Sequence, residues 1–77
     1  MLLGRWEEAK KTLIITRPNG QEYKVKGTQI LAGGHKVFGV ETVGREIHVI
    51  TGPKTNPKPN RRVKFNDSGS YKGTSKL

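Results

Sequence analysis

The chain has no cysteine among its 77 residues. That absence excludes disulfides, thiolate zinc sites and cysteine nucleophiles together. Small secreted domains usually lean on disulfides to support a thin core, so their lack favours a reducing, cytoplasmic setting, or a particle assembled inside the cell. In that setting the sequon at 66–68 carries no meaning. Long apolar runs are missing too. The start, MLLGRWEE, is too short an apolar stretch for a signal peptide or a membrane span, so no membrane partner is expected.

Catalytic chemistry has little to work with. The two histidines, His35 and His48, have only scattered carboxylates nearby, so no metal and no cofactor are expected. General acid–base work needs two positioned titratable groups with separated pKa values. The six acidic residues stand mostly beside basic ones and read as solvated charge. No serine lies in a G-x-S-x-G context. The stretch GGHKVFG at 33–39 lacks the Lys-Ser/Thr pair of a phosphate loop, and no helix follows it. A thin domain also leaves little volume for a substrate pocket. The reading is that the protein is not an enzyme.

What is present is positive charge. Fifteen Lys and Arg against six acids give a net charge of +9 and a pI near 10.3. Residues 1–50 carry eight basic and five acidic residues, whereas 51–77 carry seven basic residues and only Asp67. Such an excess raises the local concentration of polyanions. Nucleic acid is the commonest such partner for a small intracellular chain.

The order of residues predicts an all-β domain. TLIITR at 12–17 is a β-branched run, EYKVK at 22–26 alternates, and the intervening Arg17-Pro18-Asn19-Gly20 predicts a type I turn with Gly20 in the left-handed region. A third apolar segment, 28–32, ends at Gly33-Gly34. In HKVFGVETV (35–43), Gly39 predicts a bulge or tight bend. Gly44-Arg45 then leads into EIHVIT (46–51), with Ile47 and Val49 on one face and His48 and Ile50 on the other. RRVKFN (61–66) turns Val63 and Phe65 to the core and Arg62 and Lys64 to water.

Five or so short strands imply a small antiparallel sheet or a five-stranded SH3-like or OB-like barrel. Residues 12–66 make the β domain. Residues 1–11 are an N-terminal extension, either a short helix (Trp6, Ala9 and Leu13 keep helical spacing) or an extended lead-in. The basic tail, 67–77, has almost nothing to bury and is expected to be mobile.

The candidate site follows from this layout. Lys24 and Lys26 share one solvent face, Arg62 and Lys64 another, and neighbouring strands would join the four into a basic ridge. Pro53, Pro57 and Pro59 are expected to hold 52–60 extended, exposing Lys54 and Lys58. Arg61 and Arg62 follow, and the arginine fork suits phosphate. Phe38 and Phe65 read as core residues and Tyr23 as half-buried. Trp6 and Tyr71, outside the strand core, are the candidates for stacking on bases. His48 reads as a surface residue, and His35 sits at a turn where it could meet phosphate.

LIITRPNGQE (13–22) resembles the L-x-L-T-R-x-x-G-E opening of the carbon storage regulator family of RNA-binding translational repressors. FGVETVGREIHVITGPK (38–54) is similar to a later strand pair there that also ends in Pro-Lys. The chain departs from that family in its extra N-terminal residues and in lacking a helical pattern after Pro-Lys. The resemblance implies a small β RNA binder in general. From the residues themselves, the expected function is a basic, non-enzymatic module that binds DNA or RNA mainly through phosphates. The alternatives are an assembly component of a virion or ribonucleoprotein, whose tails order on a protein partner, or a small regulator docking on an acidic protein. A homodimer is possible through an open sheet edge.

Overall fold

Two antiparallel meanders follow one another along the chain in a computed structural model that describes residues 1–31 and 33–77. The first holds β1 (Leu3–Glu7), β2 (Thr12–Thr16) and β3 (Glu22–Lys26). The second holds β4 (His35–Val43), β5 (Glu46–Pro53), β6 (Arg61–Asn66) and β7 (Tyr71–Lys76). A 3-10 turn at Gly27–Gln29 begins the link between them. The expected all-β class holds. It takes the form of two open sheets, of three and four strands, with no ladder between them among the described residues to close a barrel.

The turns form where the sequence specifies them. Gly20 N–H donates to the Arg17 carbonyl at 2.9 Å with φ +90°, the type I turn and left-handed residue that Pro18-Asn19-Gly20 calls for. Gly44, at the first position of the two-residue β4–β5 loop, has φ +59°. The bulge in β4 is also as expected. The register shifts between Val37 and Gly39, leaving Phe38 as the extra residue.

Alternation then sorts each strand into two faces. Leu13, Ile15 and Val25 from the three-stranded sheet meet Ile47, Val49, Val63 and Phe65 from the four-stranded one, and Leu2 and Ile30 complete the core. Burial of each such side chain stabilises by about 1.5–3 kcal/mol relative to leaving it in water. β1 can lie close over the second sheet because residue 4 is glycine. A Cβ there would fall 2.7 Å from Ile47 Cγ2 and 3.0 Å from Val40 Cγ1.

Both expected extensions are strands. Residues 3–7 pair with β2 in register Leu3↔Thr16 to Glu7↔Thr12, which excludes the helical alternative for 1–11. Helical spacing of Trp6, Ala9 and Leu13 is overridden because alternation puts Gly4 and Trp6 on the core side, and main-chain pairing with β2 satisfies the backbone. The tail, expected to be mobile, carries β7, which pairs with β6. Its hairpin is set by Asn66, whose Oδ1 accepts from the amides of Ser68 and Ser70, with Gly69 at φ +85°. The segment 28–32 starts inside the 3-10 turn and puts Ile30 into the core; its last residue lies outside the described ones.

Candidate functional site

The registers decide where charged side chains can go. On the outer face of the first sheet, Arg5, Ile14 and Lys24 lie in one row and Glu7, Thr12 and Lys26 in the next. Lys24 and Lys26 are exposed there, as expected. On the outer face of the second sheet, Glu41, His48 and Lys64 form one row, with Ile50 and Arg62 beside it. β3 and β6 belong to different sheets and are not ladder neighbours. Lys24, Lys26, Arg62 and Lys64 therefore do not form a single ridge.

The two arginines are engaged with the protein. Arg61 points to the core side of β6, donating from Nε to Thr51 Oγ1 and from Nη2 to the Ile30 carbonyl, each at 3.4 Å. It clamps the link after the 3-10 turn to the second sheet. Arg62 Nη1 sits 2.9 Å from Glu41 Oε2 and 3.0 Å from His48 Nδ1. A guanidinium only donates, so Nδ1 accepts and Nε2–H is left to donate to Glu46 Oε1 at 2.9 Å. His48 is thus no surface histidine; it is 6% exposed within a satisfied polar row. The hydrogen bond from His48 holds the Glu46 carboxyl below the ordinary carboxylate range, with Lys72 and Lys64 adding to the effect.

The aromatics also redistribute. Trp6 donates from its indole to Glu8 and packs against the core, its Cη2 lying over Gly27, so it is a packing residue. Phe38, expected in the core, is carried out of it by the bulge. It lies half-buried beside Gly52 with the Lys36 ammonium 4.9 Å from its ring centroid. Phe65 is buried as expected, and Tyr23 is half-buried against the core. Tyr71 stays 60% exposed, edge-on to Phe65 with centroids 6.0 Å apart and its hydroxyl 2.6 Å from Thr74 Oγ1.

The proline-rich stretch 52–60 is not an extended arm. Pro53 ends β5, Asn56 N–H returns to the Pro53 carbonyl at 3.2 Å, and Asn60 N–H reaches Thr51 at 2.9 Å. The loop folds back so closely that a Cβ on Gly52 would sit 2.8 Å from Pro59 Cα. Lys54 and Lys58 remain exposed on it.

Topology gathers charge that sequence order scatters. One end of the molecule holds the β1–β2 turn, the ends of β3, β5 and β7, and the starts of β4 and β6. Several bonds tie these pieces together: Gly27 N–H to the Lys11 carbonyl at 2.7 Å, Lys54 N–H to Gly34 at 2.8 Å and Leu77 N–H to Asn60 at 3.2 Å. Hydrogen bonds from Lys11 and Trp6 hold the Glu8 carboxyl below its usual range, and Lys54 lies near enough to add to this. The end carries eight cations, Lys10, Lys11, Lys26, Lys36, Lys54, Lys58, Arg61 and Lys76, against only Glu7 and Glu8.

At the opposite end Arg17, Arg45 and Lys72 are balanced by Glu22, Glu46 and Asp67, with Arg17 paired to Asp67 at 3.3 Å. Of the candidate residues, Lys26, Lys54, Lys58 and Arg61 converge on the basic end, whereas Lys24, Arg62 and Lys64 do not. Lys10, Lys11, Lys36 and Lys76 join them without having been singled out in the sequence. Among the described residues Lys10, Lys26, Lys54, Lys58 and Lys76 make no ion pair.

No group of three or more metal-ligating side chains occurs among the described residues. No helix there is long and apolar enough to cross a membrane. Comparison with protein-family models, with curated proteins and with solved structures finds no match to this chain, so the resemblance of 13–22 and 38–54 gains no support from it.

Proposed function

We propose that the chain is a small, soluble, non-enzymatic module that binds nucleic acid through phosphate contacts at this basic end. The observation that carries the reading is the asymmetry of charge: one end has four times as many cations as acids, and the other is neutral. A polyanion is attracted to such an end and oriented by it. Among the described residues five of the lysines make no ion pair, so contact with phosphate breaks none of theirs. The absence of cysteine fits a cytoplasmic setting or a particle assembled in one.

If those five lysines each meet a phosphate on duplex DNA, log Kd changes with log salt by a slope of about 4.5. Affinity then falls roughly 500-fold between about 50 and 200 mM salt. Fluorescence anisotropy across a salt series measures this. Substituting Lys54→Gln and Lys58→Gln together should lower the slope by about 2 and weaken binding to every sequence alike. Absence of binding to any DNA or RNA at low salt, or a slope unmoved by the double substitution, refutes the proposal.

A further inference from the structure

Between the link at 28–31 and the β6–β7 pair lies a groove of about 300 Å3, running from Arg61 at the basic end toward Tyr71 and lined on one wall by Thr28 to Leu31 and on the other by Arg61, Val63, Tyr71 and Thr74. We infer that this groove seats one unpaired nucleobase stacked on Tyr71, so that the module prefers single-stranded nucleic acid over duplex. This deepens the phosphate-binding reading and rests on it.

Three features bear on the choice. Tyr71 is 60% exposed but not loose: Phe65 holds its ring edge-on and Thr74 its hydroxyl. A fixed, solvent-facing ring is a stacking platform whose ordering cost is met before any ligand arrives. The walls, in addition, mix an apolar floor (Ile30, Val63) with the hydroxyls of Thr28 and Thr74, the Gln29 amide and the Arg61 guanidinium. That is the composition a flat heterocycle with hydrogen-bonding edges requires, and the volume stands at the low end of small-ligand sites.

The groove also has cations at its basic-end mouth. Lys76 follows Thr74 by two residues on β7 and so shares its face on the β6–β7 wall, opposite Arg61. A single strand presents phosphates on either side of each base. Arg61 and Lys76 can meet one such phosphate while the base enters the groove, whereas a duplex keeps its bases paired and out of reach of the ring.

The test is anisotropy with a short single-stranded oligomer and a duplex of equal phosphate number, for the wild type, Tyr71→Ala, Tyr71→Phe and the Lys54→Gln, Lys58→Gln pair. Tyr71→Ala should weaken single-strand binding roughly 5- to 150-fold, the range for one base on one aromatic ring. It should leave duplex binding unchanged, while Tyr71→Phe keeps the preference. The lysine pair should weaken both ligands. Amide shifts on the folded wild type supply a second readout: residues 28–31 and 71–74 should move with the single strand and not with the duplex.

Equal affinity for the two ligands, with Tyr71→Ala silent and the lysine pair still weakening both, overturns the base-binding groove and leaves the basic end standing. A uniform loss of both ligands on Tyr71→Ala also overturns it. No binding of either ligand overturns the groove and the phosphate-binding reading together.

Discussion

Replacing Gly27 with alanine would place a Cβ 2.5 Å from the Lys11 carbonyl oxygen and 3.0 Å from Trp6 Cη2. Gly27 is buried, and its own N–H donates to that same Lys11 carbonyl at 2.7 Å. The new methyl cannot be relieved by rotating a side chain, because the nearer obstacle is main chain. Either the hydrogen bond opens or the β1–β2 turn shifts away from the 3-10 turn. Overpacking of this kind costs about 1–3 kcal/mol, and the lost hydrogen bond about 1 kcal/mol more.

Against this, removing a glycine from the unfolded chain returns about 0.4–1 kcal/mol. The net loss is thus about 1–3 kcal/mol, out of the 4–12 kcal/mol or so that a domain of this length possesses. Tm should fall by roughly 5–20 °C. Urea unfolding followed by Trp6 fluorescence measures the change, with an unaltered slope showing that the unfolded state is the same. Gly33→Ala is the control, since a Cβ there meets nothing within 4 Å. If Gly27→Ala and Gly33→Ala unfold at the same urea concentration, the close approach of the two turns is wrong.

Two further outcomes follow from the core and the outer face. Phe65→Ala removes a ring that is 1% exposed and should cost about 3–5 kcal/mol, enough to shift or abolish the cooperative transition at room temperature; a loss under about 1 kcal/mol would place Phe65 outside the core. The Glu46 carboxyl lies below its ordinary value of 4.5 through the His48 hydrogen bond, and Glu8 through those of Lys11 and Trp6. A lowered carboxylate stabilises the fold above the unfolded-state value and ceases to do so as pH falls through the folded one. The urea midpoint should therefore drop as the solution is acidified below that value, and less steeply for Glu46→Gln, whereas identical acid profiles would contradict the bond.

Much of the fold is legible in the chain because its turns are specified locally. Arg17-Pro18-Asn19-Gly20 and Gly44-Arg45 set their loops, Gly39 marks the bulge, and the alternation of Val63 and Phe65 with Arg62 and Lys64 sets the faces of β6. The two end strands are harder to read. β7, YKGTSK, has almost no apolar alternation because it is an edge held by main-chain bonds; the readable sign was Asn66-Asp67-Ser68-Gly69, a turn sequence that implies a returning strand. β1 conceals itself behind helical spacing. The site was readable as composition but not as place. Lys10 and Lys76 lie at opposite ends of the sequence, and only the registers through Thr12 and Arg61 bring their elements to one end of the fold. Arg61 and Arg62 look like a phosphate-binding pair in sequence, yet alternation sends one to each face, where Thr51, Ile30, Glu41 and His48 occupy them.

The meander order has a consequence for how the chain reaches this state. Every described ladder joins strands that are consecutive in sequence. No strand must wait for a distant partner, so each sheet can zip outward from its own turns on the microsecond scale of isolated hairpins, about 1–10 μs. Neither sheet is self-sufficient, because each exposes its apolar face until the other arrives. The slow event is then the meeting of the two halves, when Gly4 passes under Ile47 and Arg61 finds the Ile30 carbonyl. Substitutions at those two contacts should slow folding, and ones within a hairpin turn should do so only where they delay that meeting.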